Sequence, residues 1–215
     1  RIGTFQWAMF LEGFHFLLST PALLAFFVLD LVVNMFSSYR VLLPIFAEEI
    51  LHAGPTGFGL LASAPAVGAL VGSLVVTARG KSRRPGVAVL SATMIYAGTL
   101  ALFGLSRWMW ASLLLAAAIA FANSVGVVLR HTTLQILVPD EVRGRATAAG
   151  HVFVMGGPAL GATIMGSMAA LAGVQGAMLL GAGVCAMAVL AVAVGWRTVW
   201  TFRMPLEERA QPNPP

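Results

Sequence analysis

The chain has 215 residues, of which 59% are hydrophobic and only 10% are charged, and its formal net charge is +5. Soluble domains carry about 25% charged residues, so this composition excludes a soluble globular domain and predicts an integral membrane protein in a lipid bilayer. The basic residues lie in short segments between apolar runs, which is the pattern of membrane orientation. No nucleic-acid partner is therefore expected.

The first segment, residues 1–19, is rich in aromatic residues but is interrupted by Gln6, Glu12 and His15. These interruptions favour an amphipathic interfacial segment or linker over a membrane span. The chain begins with Arg1 and opens with no signal-peptide pattern. We expect that a preceding part of the protein has been removed.

Six apolar runs follow, and each is close to the length of about 20 residues with which a helix crosses a bilayer. They cover residues 22–46, 57–77, 87–105, 110–129, 146–171 and 175–196. The predicted fold class is all-α, with six transmembrane helices between residues 20 and 204. Residues 205–215 are polar and Pro-rich, which predicts a disordered cytoplasmic tail.

The basic residues also predict the orientation of the six runs. Most of them lie at the N-terminus, in the second and fourth connections and after the last run, whereas Arg107 lies in a connection on the opposite side. Because cytoplasmic loops are enriched in Lys and Arg, both chain ends are predicted to be cytoplasmic.

A faint internal repeat links the second and fifth runs. Pro65-Ala-Val-Gly-Ala69 and Pro158-Ala-Leu-Gly-Ala162 occupy equivalent places if the bundle is a three-plus-three inverted repeat. Chance matches in a Gly/Ala-rich sequence are the alternative. Small residues at these positions also favour close helix packing.

The longest polar interruption, residues 129–146, is predicted to be a charged connection between the fourth and fifth runs. Pro139, Asp140 and Glu141 are typical of a helix start. Arg143 and Arg145 follow directly. A cytoplasmic gate, in which the acids pair with arginines when that side closes, is one interpretation. A solvated loop is the other.

Four stretches of the sequence are typical of one transporter family: Leu11-Glu12-Gly13, LLPIFAEEI at 42–50, GFGLL at 57–61 and LQILVPDEVRGR at 134–145. In these stretches the chain resembles the C-terminal half, spans seven to twelve, of a major facilitator superfamily transporter. The branch it resembles includes the enterobactin exporter and the macrolide efflux proteins. One departure is that Val76 stands where the superfamily's cytoplasmic signature has an Asp.

The resemblance implies half of a secondary transporter in the bacterial inner membrane, working by alternating access with a missing N-terminal six-helix half. It implies export of small amphipathic or drug-like molecules, such as siderophores or macrolides, driven by an ion gradient. An importer of the same fold, or a truncated or partner-binding module without transport of its own, are the alternatives. No phosphate loop, catalytic set or metal-ligand spacing is present in the sequence, so no enzyme activity and no cofactor are expected.

Ionisable and polar residues within the runs are the candidate substrate or proton pathway, because such residues are costly in a membrane. Asp30 is the only acidic residue within the six apolar runs. It could serve as a proton-coupling group, as a contact for a cationic substrate or as a packing residue. Asn34 follows on the same helix face. Arg40 could face the pathway or extend to the interface. Asn123 could line a cavity or bond a neighbouring helix.

Arg130, near the cytoplasmic end of the fourth run, completes the candidate pathway. Its guanidinium could bind an anionic substrate group or pair with an acid across a gate. As an ordinary positive-inside residue, Arg130 would need neither role.

Overall fold

A computed structural model describes residues 21–36, 38–80, 84–137 and 140–195. These residues contain no strand and form five long helices, which confirms the predicted all-α class. The helices are α1 Pro21–Phe36, α2 Gly54–Arg79, α3 Pro85–Leu105, α4 Met109–Leu137 and α5 Asp140–Gly195. The predicted interfacial segment and C-terminal tail lie outside the described residues.

Five stretches of the described chain are long and apolar enough to cross a membrane. They are Val28–Ile50, Gly54–Arg79, Pro85–Leu105, Met109–Thr132 and Gly157–Gly195. The last has 39 residues, which as one straight helix would be about 58 Å long. That is nearly twice the bilayer core of about 30 Å.

Helix α5 reverses direction at Gly173, whose φ of 72° and ψ of 168° are not helical. Met165 and Gly181 meet across this reversal: a Cβ on Gly181 would lie 3.4 Å from the Met165 sulfur. In a straight helix these residues would be about 24 Å apart. α5 is therefore a hairpin with a first limb, residues 140–172, and a second limb, residues 174–195, which match the fifth and sixth predicted runs.

Helix α1 ends earlier than the first predicted run. Ser38 has a non-helical ψ of 39°, and its hydroxyl donates to the Asn34 carbonyl at 2.9 Å, which competes with the backbone bond of a continuing helix. A 3₁₀ turn over Tyr39–Leu42, an α turn over Leu43–Ile45 and a π turn over Phe46–Ile50 follow. Pro44, which lacks an N–H, lies in this irregular segment.

The predicted connection at 129–146 is largely helical, so its assignment as a loop was wrong. α4 continues to Leu137, and α5 begins at Asp140, where the sequence predicted a helix start. Polarity in this stretch marks where the chain leaves the apolar zone and does not require the helix to end there. Helices α4 and α5 therefore extend beyond the apolar runs that predicted them.

Glycines allow two pairs of helices to touch backbone to backbone. A Cβ on Gly68 of α2 would lie 2.6 Å from the Ala117 carbonyl carbon of α4. A Cβ on Gly161, in the first limb of α5, would lie 2.5 Å from the Met35 carbonyl oxygen of α1. α2 thus packs on α4 as α5 packs on α1, the reciprocal arrangement that a three-plus-three repeat produces.

Two apolar clusters hold the bundle on either side of its middle. In the larger one, the Phe46 and Phe103 rings stack with centroids 4.8 Å apart, and Tyr39 meets Phe103 edge-on at 5.7 Å. The smaller one includes Leu29 of α1 and Val89 of α3, with Leu129 packed against it. Since Leu29 and Leu129 directly precede Asp30 and Arg130, this cluster positions the site.

Candidate functional site

Asp30 of α1 and Arg130 of α4 form an ion pair between two helices that are far apart in sequence. The Arg130 Nη2 bonds the Asp30 Oδ1, and the two side chains are only 11% and 15% exposed, respectively. It is the one ion pair among the residues whose side chains the structure describes. Because removing charges from water offsets most of the attraction between them, such a pair is weak evidence for stability. An ionisable pair within a membrane span is by default a hypothesis for a functional site.

Arg130 of this pair borders a small void between the helices. The void has a volume of about 10 Å³, room for at most one water molecule. Its wall combines apolar groups with the polar side chains of α3 and α4: Val33, Thr93, Tyr96, Ala122, Asn123, Gly126 and Arg130. The Thr93 hydroxyl donates to the Val89 carbonyl at 2.9 Å, so the lone pairs of its oxygen remain for an acceptor role.

A larger cavity of about 500 Å³ lies next to this void. Residues of α1, the irregular segment and α4 supply most of its wall, and α2, α3 and α5 contribute one residue each. Its polar lining is Asn34, Ser38, Tyr39, Arg40, Tyr96, Asn123 and Ser124. Val33, Tyr96 and Asn123 line both spaces, so the ion pair lies immediately beside the cavity wall.

Local helix geometry explains which polar groups face the cavity. Asp30 and Asn34 are four residues apart and share one face of α1, and Ser38 follows four residues later, just beyond the end of the helix. The Asn34 amide donates to the Asp30 carbonyl at 2.8 Å, and the Ser38 hydroxyl donates to the Asn34 carbonyl. On α4, the Ser124 hydroxyl donates to the Ala69 carbonyl of α2 at 3.1 Å. These bonds fix the side chains against the wall.

The five residues predicted for the pathway come together. Asn34, Arg40 and Asn123 line the cavity, and Asp30 and Arg130 form the adjoining pair. The structure shows Arg130 paired with an acid, Asp30, of the same chain.

Several wall residues were missed by the sequence analysis. Ser38 could have been predicted, because it follows Asp30 and Asn34 at the same spacing of four residues. Tyr39 offered no comparable signal because its backbone belongs to the irregular segment. Thr93 and Tyr96 are buried residues of α3, and only the packing of α3 against α1 and α4 brings them to the site.

The predicted gate residues Asp140, Glu141, Arg143 and Arg145 all lie in the first turns of α5. Their side chains are outside what the structure describes, so the gate stays a prediction. In the part of the chain that is described, no group of three or more His, Cys, Asp or Glu could hold a metal ion.

A comparison with family models finds one match, described as "Transmembrane secretion effector", over residues 9–212. Among curated proteins, the chain is similar to the enterobactin exporter EntS of Escherichia coli O81 (strain ED1a), E. coli O139:H28 (strain E24377A / ETEC) and Shigella boydii serotype 18 (strain CDC 3083-94 / BS512). Each is 31% identical over 159 residues, which cover 74% of this chain and 38% of the relative. No solved structure gives a significant match.

Proposed function

The chain belongs to the transmembrane secretion effector family of the major facilitator superfamily, and from that premise we propose that it is one half of an exporter of small amphipathic molecules. Members of this superfamily are multi-pass membrane transporters and not enzymes. The matched region spans 38% of the curated exporters, and an N-terminal six-helix half that completes the transporter is part of this proposal. Siderophore-like or macrolide-like molecules are the proposed cargo.

The proposed mechanism is alternating access, in which this bundle rocks against its partner half around a central cavity. The cavity beside Asn34 and Asn123 is the part of the substrate site that this half contributes. Both chain ends face the cytoplasm in this proposal, in line with the distribution of basic residues. Asp140, Glu141, Arg143 and Arg145 then lie on the cytoplasmic side and control its opening.

The Asp30–Arg130 pair is proposed to couple transport to a proton gradient. A proton that binds the Asp30 carboxylate removes its negative charge, whereas the Arg130 guanidinium keeps its positive charge. A poorly solvated charge that loses its partner costs about 3–5 kcal/mol. That cost favours a rearrangement of α1 against α4, and since these helices line the cavity, the rearrangement changes the substrate site.

The observation that carries this proposal is the position of the pair, nearly buried in the span and next to a polar cavity. Asp30→Asn in the full-length protein is expected to abolish gradient-driven efflux from cells while expression stays intact. Glu48→Gln, at an exposed acid of the irregular segment, is the matched control and is expected to retain efflux. Wild-type efflux by Asp30→Asn would remove this residue from the mechanism.

Direction needs its own experiment, because an importer of the same fold would share the cavity and the ion pair. Inside-out and right-side-out membrane vesicles containing the full-length protein are incubated in a medium that contains a fluorescent substrate, under an imposed proton gradient. An exporter accumulates substrate in the inside-out vesicles. Accumulation confined to right-side-out vesicles would contradict export and favour import.

A further inference from the structure

The charge of the cavity wall is positive. Arg40 is the charged residue among those that line it, its side chain is exposed, and no carboxylate of the described residues pairs with it. The nearest acid of the pathway, Asp30, is already paired with Arg130. A cationic substrate would therefore face the positive charge of Arg40, and the described wall offers it no free carboxylate.

Three polar side chains of the wall, those of Asn34, Ser38 and Ser124, each donate a hydrogen bond to a backbone carbonyl. The Ser38 and Ser124 hydroxyl protons are committed to backbone carbonyls at 2.9 and 3.1 Å. One N–H of the Asn34 amide is committed in the same way at 2.8 Å. What these three side chains still offer is mainly oxygen lone pairs, which accept hydrogen bonds. A ligand that satisfies them must bring O–H or N–H donors.

We propose that this cavity selects amphipathic organic acids that also carry hydroxyl or amide donors. The acidic group lies against Arg40, the donors face Asn34, Ser38 and Ser124, and the apolar part packs on apolar wall residues such as Val33 and Ile119. Arg40 is thus a specificity-determining residue. The inference rests on the proposed function, since it assigns a substrate class to the same site.

Charge-assisted hydrogen bonds explain why Arg40 should dominate this preference. A guanidinium binds a carboxylate through two parallel bonds that a neutral amide cannot reproduce. Loss of such an interaction corresponds to about a ten- to hundred-fold loss of affinity. Arg40 is exposed and its side chain hydrogen-bonds the buried Tyr39, so Arg40→Gln removes the charge while keeping an amide donor at this position.

The test uses the full-length protein in proteoliposomes and a matched pair of fluorescent probes, an amphipathic hydroxylated carboxylic acid and its primary amide. Wild-type protein is expected to transport the acid at least ten-fold better than the amide. Arg40→Gln should lose that preference while still moving the amide, and Arg40→Lys should keep part of it. Arg107→Gln, at an exposed arginine away from the cavity, should behave as wild type.

Three results overturn the inference, and they differ in what else they overturn. If wild type prefers the amide, or if Arg40→Gln keeps the wild-type preference for the acid, the substrate class is wrong while the transport function stands. If wild type moves neither probe nor any of a panel of cationic and neutral dyes, the proposed function fails and the substrate class fails with it. Amide transport by Arg40→Gln shows within the same sample that this variant is folded.

Discussion

The contact between α2 and α4 should fail if Gly68 gains a single methyl group. A Cβ at this position would lie 2.6 Å from the Ala117 carbonyl carbon and 2.9 Å from its Cα. Both atoms belong to the backbone, so no side chain can rotate away, and α2 must move outward from α4. Overpacking of this kind costs about 1–3 kcal/mol. The outward movement also stretches the bond from Ser124 to the Ala69 carbonyl, which adds about 1 kcal/mol.

Gly59→Ala on the same helix is the control, because a Cβ there would meet nothing within 4 Å. Replacing an unhindered helical Gly by Ala stabilises a helix by about 0.5–1 kcal/mol. The midpoint of thermal unfolding of the full-length protein in detergent, followed by size-exclusion chromatography after heating, is the measurement. Gly68→Ala should unfold at least about 4 °C below wild type, and Gly59→Ala at or above it. Equal midpoints for the two variants would refute backbone contact at Gly68.

Three further predictions concern other parts of the bundle. Gly161→Ala should lower the unfolding midpoint through its clash with α1, whereas Gly166→Ala, in open space on the same limb, should not; equal midpoints would argue against the contact. Phe103→Ala should destabilise the protein by about 3 kcal/mol, because two aromatic rings of the irregular segment rest on it, and an unchanged midpoint would contradict that role. Neutralising Arg143 and Arg145 together should change the transport rate more than the choice of substrate, and an altered substrate profile at unchanged rate would count against the gate.

The apolar runs predicted the fold because the bilayer sets the length of a span. The connection at 172–174 is the reversal at Gly173, and Asp140 starts a helix as its neighbours indicated. The early end of α1 was not predicted, since it depends on the hydroxyl of Ser38 bonding the backbone. The extension of α4 to Leu137 was missed as well, because hydropathy marks the membrane boundary and not the helix end.

The candidate site was predictable in its members but not in its arrangement. Asp30 and Arg130 stood out because ionisable groups in apolar runs are costly. Their pairing could not be derived from the sequence, since it depends on how α1 and α4 meet in the bundle. The approach of α5 to α1 at Gly161 and of α2 to α4 at Gly68 positions these two helices around the cavity.

Substrate-coupled proton movement in proteoliposomes tests the central claim, coupling through the Asp30–Arg130 pair, most directly. Full-length wild-type protein and Asp30→Asn are reconstituted with a pH-sensitive dye inside, and proton flux is recorded when substrate is added. Wild type is expected to move protons against the substrate flow, whereas Asp30→Asn should exchange substrate across the membrane without moving protons. Proton flux of wild-type size in Asp30→Asn would contradict coupling through this pair.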